Sequence, residues 1–132
     1  MASGDQSLPP AEAQRLAERA GEALFSRDTA AKLLGIHIIS VRPGGARVGM
    51  TVRHDMVNGH RTCHGGLIFA LADSAFACNS HNESNVAAAA SIDFLAPGFE
   101  GDAHIESAAQ SRRTNGYATT KFRSRQMAFR RR

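Results

Sequence analysis

The segment that most constrains this chain is Gly65–Ser80, GGLIFALADSAFACNS, an unbroken helix candidate that is apolar on nearly every side. Leu67, Ile68, Phe69, Ala70, Leu71 and Ala72 lead into Asp73, and Ala75, Phe76 and Ala77 follow it. A helix that is apolar all round is expected to be buried, so the rest of the chain must supply its walls. Asp73 has Phe69, Ala70, Phe76 and Ala77 three and four residues away, and none of these can pair with a carboxylate. Its mid-helix position gives it no cap role and little help from the helix dipole. Buried there, a lone carboxylate costs on the order of several kcal/mol unless a group outside the helix pairs it. Two readings follow: a structural Asp bonded to a neighbouring backbone group or Arg, and a functional carboxylate.

The walls are legible on both sides of this helix. Pro9 and Pro10 precede a helix over Ala11–Phe25, with Ala13, Leu16, Ala17, Ala20 and Leu24 at helical spacing and Gly21 weakening its second half. Asp28 or Thr29 caps a short helix through Leu34 that Gly35 ends. Ile36–Arg42 and Ala46–Arg53 read as strands joined by Pro43-Gly44-Gly45, and His54–His64 as a polar loop. Val86–Leu95 reads as a strand by its period of two and by the Pro97-Gly98 that follows. A further strand, Ala103–Arg112, reaches a turn at Thr114-Asn115-Gly116, and the last strand starts at Tyr117. The predicted order is α-β-β-α-β-β-β. It points to an α+β fold with an antiparallel sheet around a central apolar helix. The 132 residues suit one domain, with 1–28 a flexible start plus helix and 29–132 the domain proper.

Charge narrows the function classes once it is divided along the chain. Residues 1–111 hold 8 Lys/Arg against 12 Asp/Glu, whereas 112–132 hold the other 8 basic residues and no acid. The net +4 is therefore a property of the C-terminal segment, and a nucleic-acid role for the whole domain is not expected. RNA or acidic-surface binding by 112–132 alone is the alternative, and it predicts steep salt dependence. No apolar run approaches the roughly 18 residues of a membrane span. The N-terminus has neither a basic n-region nor an apolar h-region, so a cytoplasmic protein is expected. Cys63 and Cys78 are then two reduced thiols. His60, Cys63, His64, Cys78 and His81 form neither CxxC nor HExxH, and no metal site is expected of them.

The start of the apolar helix carries a second chemical signal. Gly65-Gly66 follow His64, and a helix N-terminus offers free N–H groups at the positive end of the macrodipole. Glycine permits close approach, so these donors suit an oxyanion, although a tight entry turn would explain the same residues. Eight residues, about 12 Å of helix, separate Gly65 from Asp73. One chain struggles to place both on one carbonyl, and a dimer that draws each group from a different subunit removes the difficulty.

With Asn58-Gly59-His60, Cys63-His64-Gly65-Gly66, Leu71 to Ala77, Cys78-Asn79-Ser80, Ser91 to Leu95 and Pro97-Gly98 in place, the chain resembles the hotdog-fold thioesterases of the phenylacetic acid degradation (PaaI) type. The resemblance covers most of residues 30–116. It implies hydrolysis of acyl-CoA thioesters, with aryl-acetyl, hydroxyphenylacetyl or related medium-size acyl groups. It assigns Asp73 as nucleophile or general base, the Gly65 N–H as oxyanion donor and Asn58 as the amide that positions water or the carboxylate. Ser91 would help hold the water, and His64 flanks the oxyanion position. It further implies a homodimer with sites at the subunit interface, paired into a homotetramer, and no metal or organic cofactor. Arg53 or Arg61 could meet the CoA phosphates. A thiol nucleophile at Cys63 and a serine nucleophile at Ser74 are both disfavoured, the latter for want of a GxSxG elbow.

The chain departs from the family pattern in two places. It is two residues shorter between Ala77 and Cys78, and the text after Tyr117 alternates poorly and contains no acid. The closing hairpin is therefore expected to be shortened, frayed or the product of an altered reading frame. A non-catalytic hotdog protein that binds acyl-CoA or a protein partner is the alternative function.

Overall fold

The computed structural model describes residues 8–78, 89–114 and 117–127, with the backbone alone over 103–127. Helix α1 runs Pro10–Ser26 and opens on proline, where a missing N–H leaves no helical bond unmade. It does not weaken at Gly21. That residue is buried where α1 crosses the sheet, and the Val41 side chain fills the space in which a Cβ would stand, 3.1 Å away. Helix α2, Thr29–Leu34, is capped by Asp28, whose carboxylate accepts the Ala31 N–H at 2.8 Å. Gly35 ends it at φ +69, a conformation open to glycine at little cost.

Strand β1, His37–Arg42, turns at Pro43-Gly44 into β2, Gly45–Thr51, with Gly44 at φ +74 supplying the reversal. After a 3-10 turn at His54–Met56 comes the apolar helix α3, Gly65–Cys78, then β3, Ala103–Thr114, and β4, Tyr117–Met127. The sheet is antiparallel in the order β1-β2-β3-β4, with Ile38↔Val48 in the first pair and Val48↔Glu106 in the second.

α3 lies against β2 and β3, with α1 beside it, which is the α+β arrangement expected from the sequence. Its buried stripe is Ile68, Leu71, Ala72, Ala75 and Cys78. Ile68, Leu71, Ala75 and Cys78 share one core with Val48, Met50, Val52 and Met56. Helical spacing of three and four residues brings these positions onto one face.

Two expectations for the sheet are corrected. Residues 89–95 of the expected strand Val86–Leu95 form no strand and join no ladder among the described residues; 86–88 lie outside them. Alanine carries little strand preference, and apart from the half-buried Ile92 the described residues here are exposed, so burial does not drive pairing. The second correction is at the C-terminus. β4 is neither short nor frayed: it pairs with β3 from Thr114↔Tyr117 to Ala103↔Met127, with one bulge between Ser111 and Arg113. Backbone bonding carries a ladder that side-chain alternation does not announce. The expected turn at Asn115-Gly116 lies outside the described residues. So do Asn79, Ser80 and His81.

Leu71 is fully enclosed, whereas Leu33 is 75% exposed. Leu71→Ala is expected to lower unfolding free energy by about 2–5 kcal/mol and Leu33→Ala by less than about 0.5 kcal/mol, read by chemical denaturation. Equal losses would show that the α3 stripe is not the core.

Candidate active site

The loop between β2 and α3 is organised by one side-chain amide. Asn58 Oδ1 accepts the His60 N–H at 2.9 Å, the Thr62 N–H at 3.3 Å and the Thr62 hydroxyl at 3.2 Å. Two backbone N–H donors on one atom identify it as the oxygen, which leaves Nδ2 as an amide donor without a partner among the described residues. The Asn58 N–H donates to the Thr62 carbonyl at 2.8 Å, and the Arg61 N–H donates to the Asn58 carbonyl at 2.9 Å. Arg61 sits at φ +61 in this tight loop, a conformation that costs a non-glycine residue about 1–2 kcal/mol. A bridge between Val57 and Cys63 closes the loop. The His64 N–H then donates to the Met56 carbonyl at 2.8 Å, and the Cys63 N–H to the Gly98 carbonyl at 2.7 Å. The chain thus enters α3 along a fixed path.

His64 sorts the donors at the start of that helix. Its ring Nδ1 lies 3.3 Å from the Gly66 N–H and accepts from it, so the neutral ring carries its proton on Nε2. Its carbonyl takes the Leu67 N–H at 2.9 Å and the Ile68 N–H at 3.4 Å. The Gly65 N–H is left unbonded among the described residues, at the positive end of α3. An open cleft of about 320 Å³ adjoins this end, lined by Asp55, Met56, Val57, His64, Gly66 and Leu67. Its walls are largely apolar. The guanidinium of Arg53 bonds Asp55 at 3.0 and 3.4 Å and holds the Asp55 carboxyl below the usual carboxylate range. Arg53 also donates to the Leu33 carbonyl at 3.2 Å, so it is not the free cation that its sequence position suggested. Arg61 is exposed at the loop tip.

Asn58, His64 and Gly65 are therefore brought together at the start of α3, and Asp73 is not brought to them within one chain. Asp73 stands two turns further along α3. It is exposed, against the expectation of a buried acid. The sheet covers the stripe through Leu71 and Ala75, and Asp73 lies off that stripe beside the half-buried Phe69, Ala70, Phe76 and Ala77. An apolar count could not say which face the chain's own sheet would cover. The desolvation cost inferred from the sequence does not arise within one chain. Ser91 is exposed on the irregular segment and makes no hydrogen bond among the described residues.

Sequence reasoning missed three things here. The Arg53–Asp55 pair could have been suggested by its spacing, and the His64 cap by a ring placed just before Gly-Gly. Nothing in the sequence pointed to the third, the Phe94 ring set against Gly65.

Comparison with known proteins gives one family. The thioesterase superfamily model matches residues 60–114. The acyl-coenzyme A thioesterase PaaI of Escherichia coli K12 is 56% identical over 82 residues, which are 61% of this chain and 59% of that protein. The chain thus matches less than two thirds of that relative's length. Among solved structures, the E. coli PaaI protein from the phenylacetic acid degradation operon superposes with TM-score 0.74 at 36% identity. The alignment covers 89% of this chain and 96% of that one. A point mutant of the phenylacetic acid degradation protein PaaI from Thermus thermophilus gives TM-score 0.70 at 31% identity, over 75% and 87% of the two chains.

The thiols offer no competing nucleophile. Cys63 and Cys78 are free and buried. Burial pushes the Cys63 thiol up, and burial with the nearby Asp28 charge pushes Cys78 up to about 11. Both are protonated near neutral pH, and no group of three or more His, Cys, Asp or Glu gathers as a metal site among the described residues. A disulfide reagent at pH 8 is expected to label neither cysteine in the native protein and both after denaturation. Rapid stoichiometric labelling of the native chain would contradict this.

Proposed function

The chain belongs to the hotdog-fold thioesterases, in their PaaI branch, and on that premise we propose that it hydrolyses acyl-CoA thioesters to the free acid and CoA. Aryl-acetyl groups such as phenylacetyl and hydroxyphenylacetyl, or acyl groups of similar size, are the proposed substrates. The observation that carries this reading is the Gly65 N–H, unbonded among the described residues at the start of a helix whose other donors there are taken by His64. It suits the oxygen of a thioester carbonyl, where negative charge develops as the carbonyl is attacked.

The roles are those that the family resemblance implies. Asp73 attacks as nucleophile or activates water as general base, and the Asn58 amide donor positions the water or the carboxylate. Ser91 helps to hold the water. His64 flanks the oxyanion position and keeps Gly66 out of competition for it. When the C–S bond breaks, the electron pair goes to sulfur. A thiolate leaves readily because thiols ionise near pH 8.5, so a strong general acid is not needed. The reaction as proposed uses no metal or organic cofactor, the CoA belonging to the substrate. Of Arg53 and Arg61, Arg61, exposed and without a side-chain partner among the described residues, is the proposed contact for the CoA phosphates.

The working unit is proposed as a homodimer with sites at the subunit interface, paired into a tetramer, in the cytoplasm. Two observations support shared sites: Asp73 is exposed on a half-buried apolar face, and about 12 Å of helix separates it from Gly65. Among the described residues no helix is long and apolar enough to cross a membrane.

Asp73→Asn is expected to lower kcat for phenylacetyl-CoA by about 10²–10⁴-fold, followed by release of free thiol, with helix content and oligomeric state kept. Turnover within about threefold of the parent in a folded variant would remove Asp73 from the mechanism.

A further inference from the structure

We infer that Phe94 is the specificity-determining wall of the thioester site, and that residue 65 is glycine to make room for its ring. This rests on the proposed role of the Gly65 N–H. A Cβ built on Gly65 would lie 2.9 Å from Phe94 Cζ, 3.2 Å from Cε1 and 3.4 Å from Cε2. The outer edge of the ring is therefore turned onto the backbone at the first residue of α3. A side chain at 65 would displace the ring from this position. The N–H itself does not require glycine, since every residue but proline supplies one.

Phe94 is not a core side chain that happens to touch a helix. It is 56% exposed, so more than half of it faces away from the protein while its tip is held at Gly65. Its segment is anchored next to the same helix end by the bond from the Cys63 N–H to the Gly98 carbonyl, 2.7 Å long. Standard bond lengths put the Gly65 nitrogen within about 6 Å of the ring edge. A carbonyl oxygen bonded to that nitrogen stands about 2.9 Å from it, so the carbonyl carbon lies within about 10 Å of the ring edge, a span comparable with the reach of the larger groups that a thioester carries on that carbon.

One of those groups is the acyl substituent. An aromatic ring edge prefers another aromatic ring, offset or edge-to-face, over a methyl group, which offers neither the area nor the quadrupole. Phe94 thus favours aryl-acetyl over acetyl thioesters. The cleft lined by Met56, Val57 and Leu67 adjoins the helix end as well, and Phe94 meets that end at Gly65 itself.

The test compares Phe94→Leu and Phe94→Ala with the parent in two ways. The first is the ratio of kcat/KM for phenylacetyl-CoA to that for acetyl-CoA. The second is the ratio of affinities for the corresponding non-hydrolysable ketone analogues of CoA, by calorimetry. Both ratios are expected to fall about tenfold, more in Ala than in Leu. Unchanged ratios, including a uniform loss on both substrates, overturn the inference, as does a parent that binds neither analogue. A parent that binds the analogues with aryl preference but hydrolyses neither thioester overturns the proposed hydrolysis and leaves the role of Phe94 standing. The slot is checked by a double-mutant cycle: the loss of affinity in Gly65→Ala should be largely relieved by adding Phe94→Ala, and additive losses would overturn it.

Discussion

One face of α3 seated on the sheet governs the rest of the molecule. Leu71 and Ala75 are fully enclosed and share a core with Val48, Met50 and Met56, which come from β2 and from the turn that follows it. That contact fixes the rotation of the helix about its axis. It also fixes what cannot be covered, because a helix presents a stripe to a sheet and not its whole surface. Asp73, Phe69 and Phe76 are off the stripe for the same geometric reason that Leu71 is on it. The helix N-terminus is pinned separately by backbone bonds from His64 to Met56 and from Cys63 to Gly98. Position along the axis and rotation about it are thus set by different interactions.

How far this could be read in advance depended on whether the governing contact was local. α1, α2 with its Asp28 cap and Gly35 stop, the β1–β2 hairpin and α3 were all legible, because capping, turn chemistry and hydrophobic period act within a few residues. The exposure of Asp73 was not, since an apolar helix is expected to be buried whole and only the tertiary structure shows which face the chain covers itself. β4 was underestimated for a related reason. Its poor alternation concealed a ladder that depends on backbone pairing with β3. Residues 89–95 erred in the opposite direction: period-two alternation was present, but the alanines among them bring too little side chain to make pairing favourable.

The candidate site divides in the same way. Gly65 was marked by its place at the start of an apolar helix, and Asn58 and His64 by the family resemblance; the three meet because loop, cap and helix end are consecutive in the chain. The roles of Arg53 and Phe94 depend on neighbours that sequence does not announce. Arg53 reaches across to the Leu33 carbonyl, twenty residues away, as well as to its near neighbour Asp55. An arginine that looked available for an anionic ligand is instead a strut between α2 and the 3-10 turn.

The separation of stabilising and reactive groups on α3 has a consequence for how such a helix can vary. The residues that hold it are apolar and enclosed, and their replacement is felt through cavity and transfer terms. Asp73 contributes nothing to that core and carries no burial cost within one chain, so its presence is not explained by the fold. Gly65 is constrained from the opposite direction, by the ring of Phe94 occupying the space of a side chain. One position is free to be apolar and is acidic, and the other could donate its N–H as any residue and is glycine. Neither choice follows from packing the helix on its sheet, and the proposed hydrolysis gives each a use, as a carboxylate at 73 and an accessible backbone donor at 65.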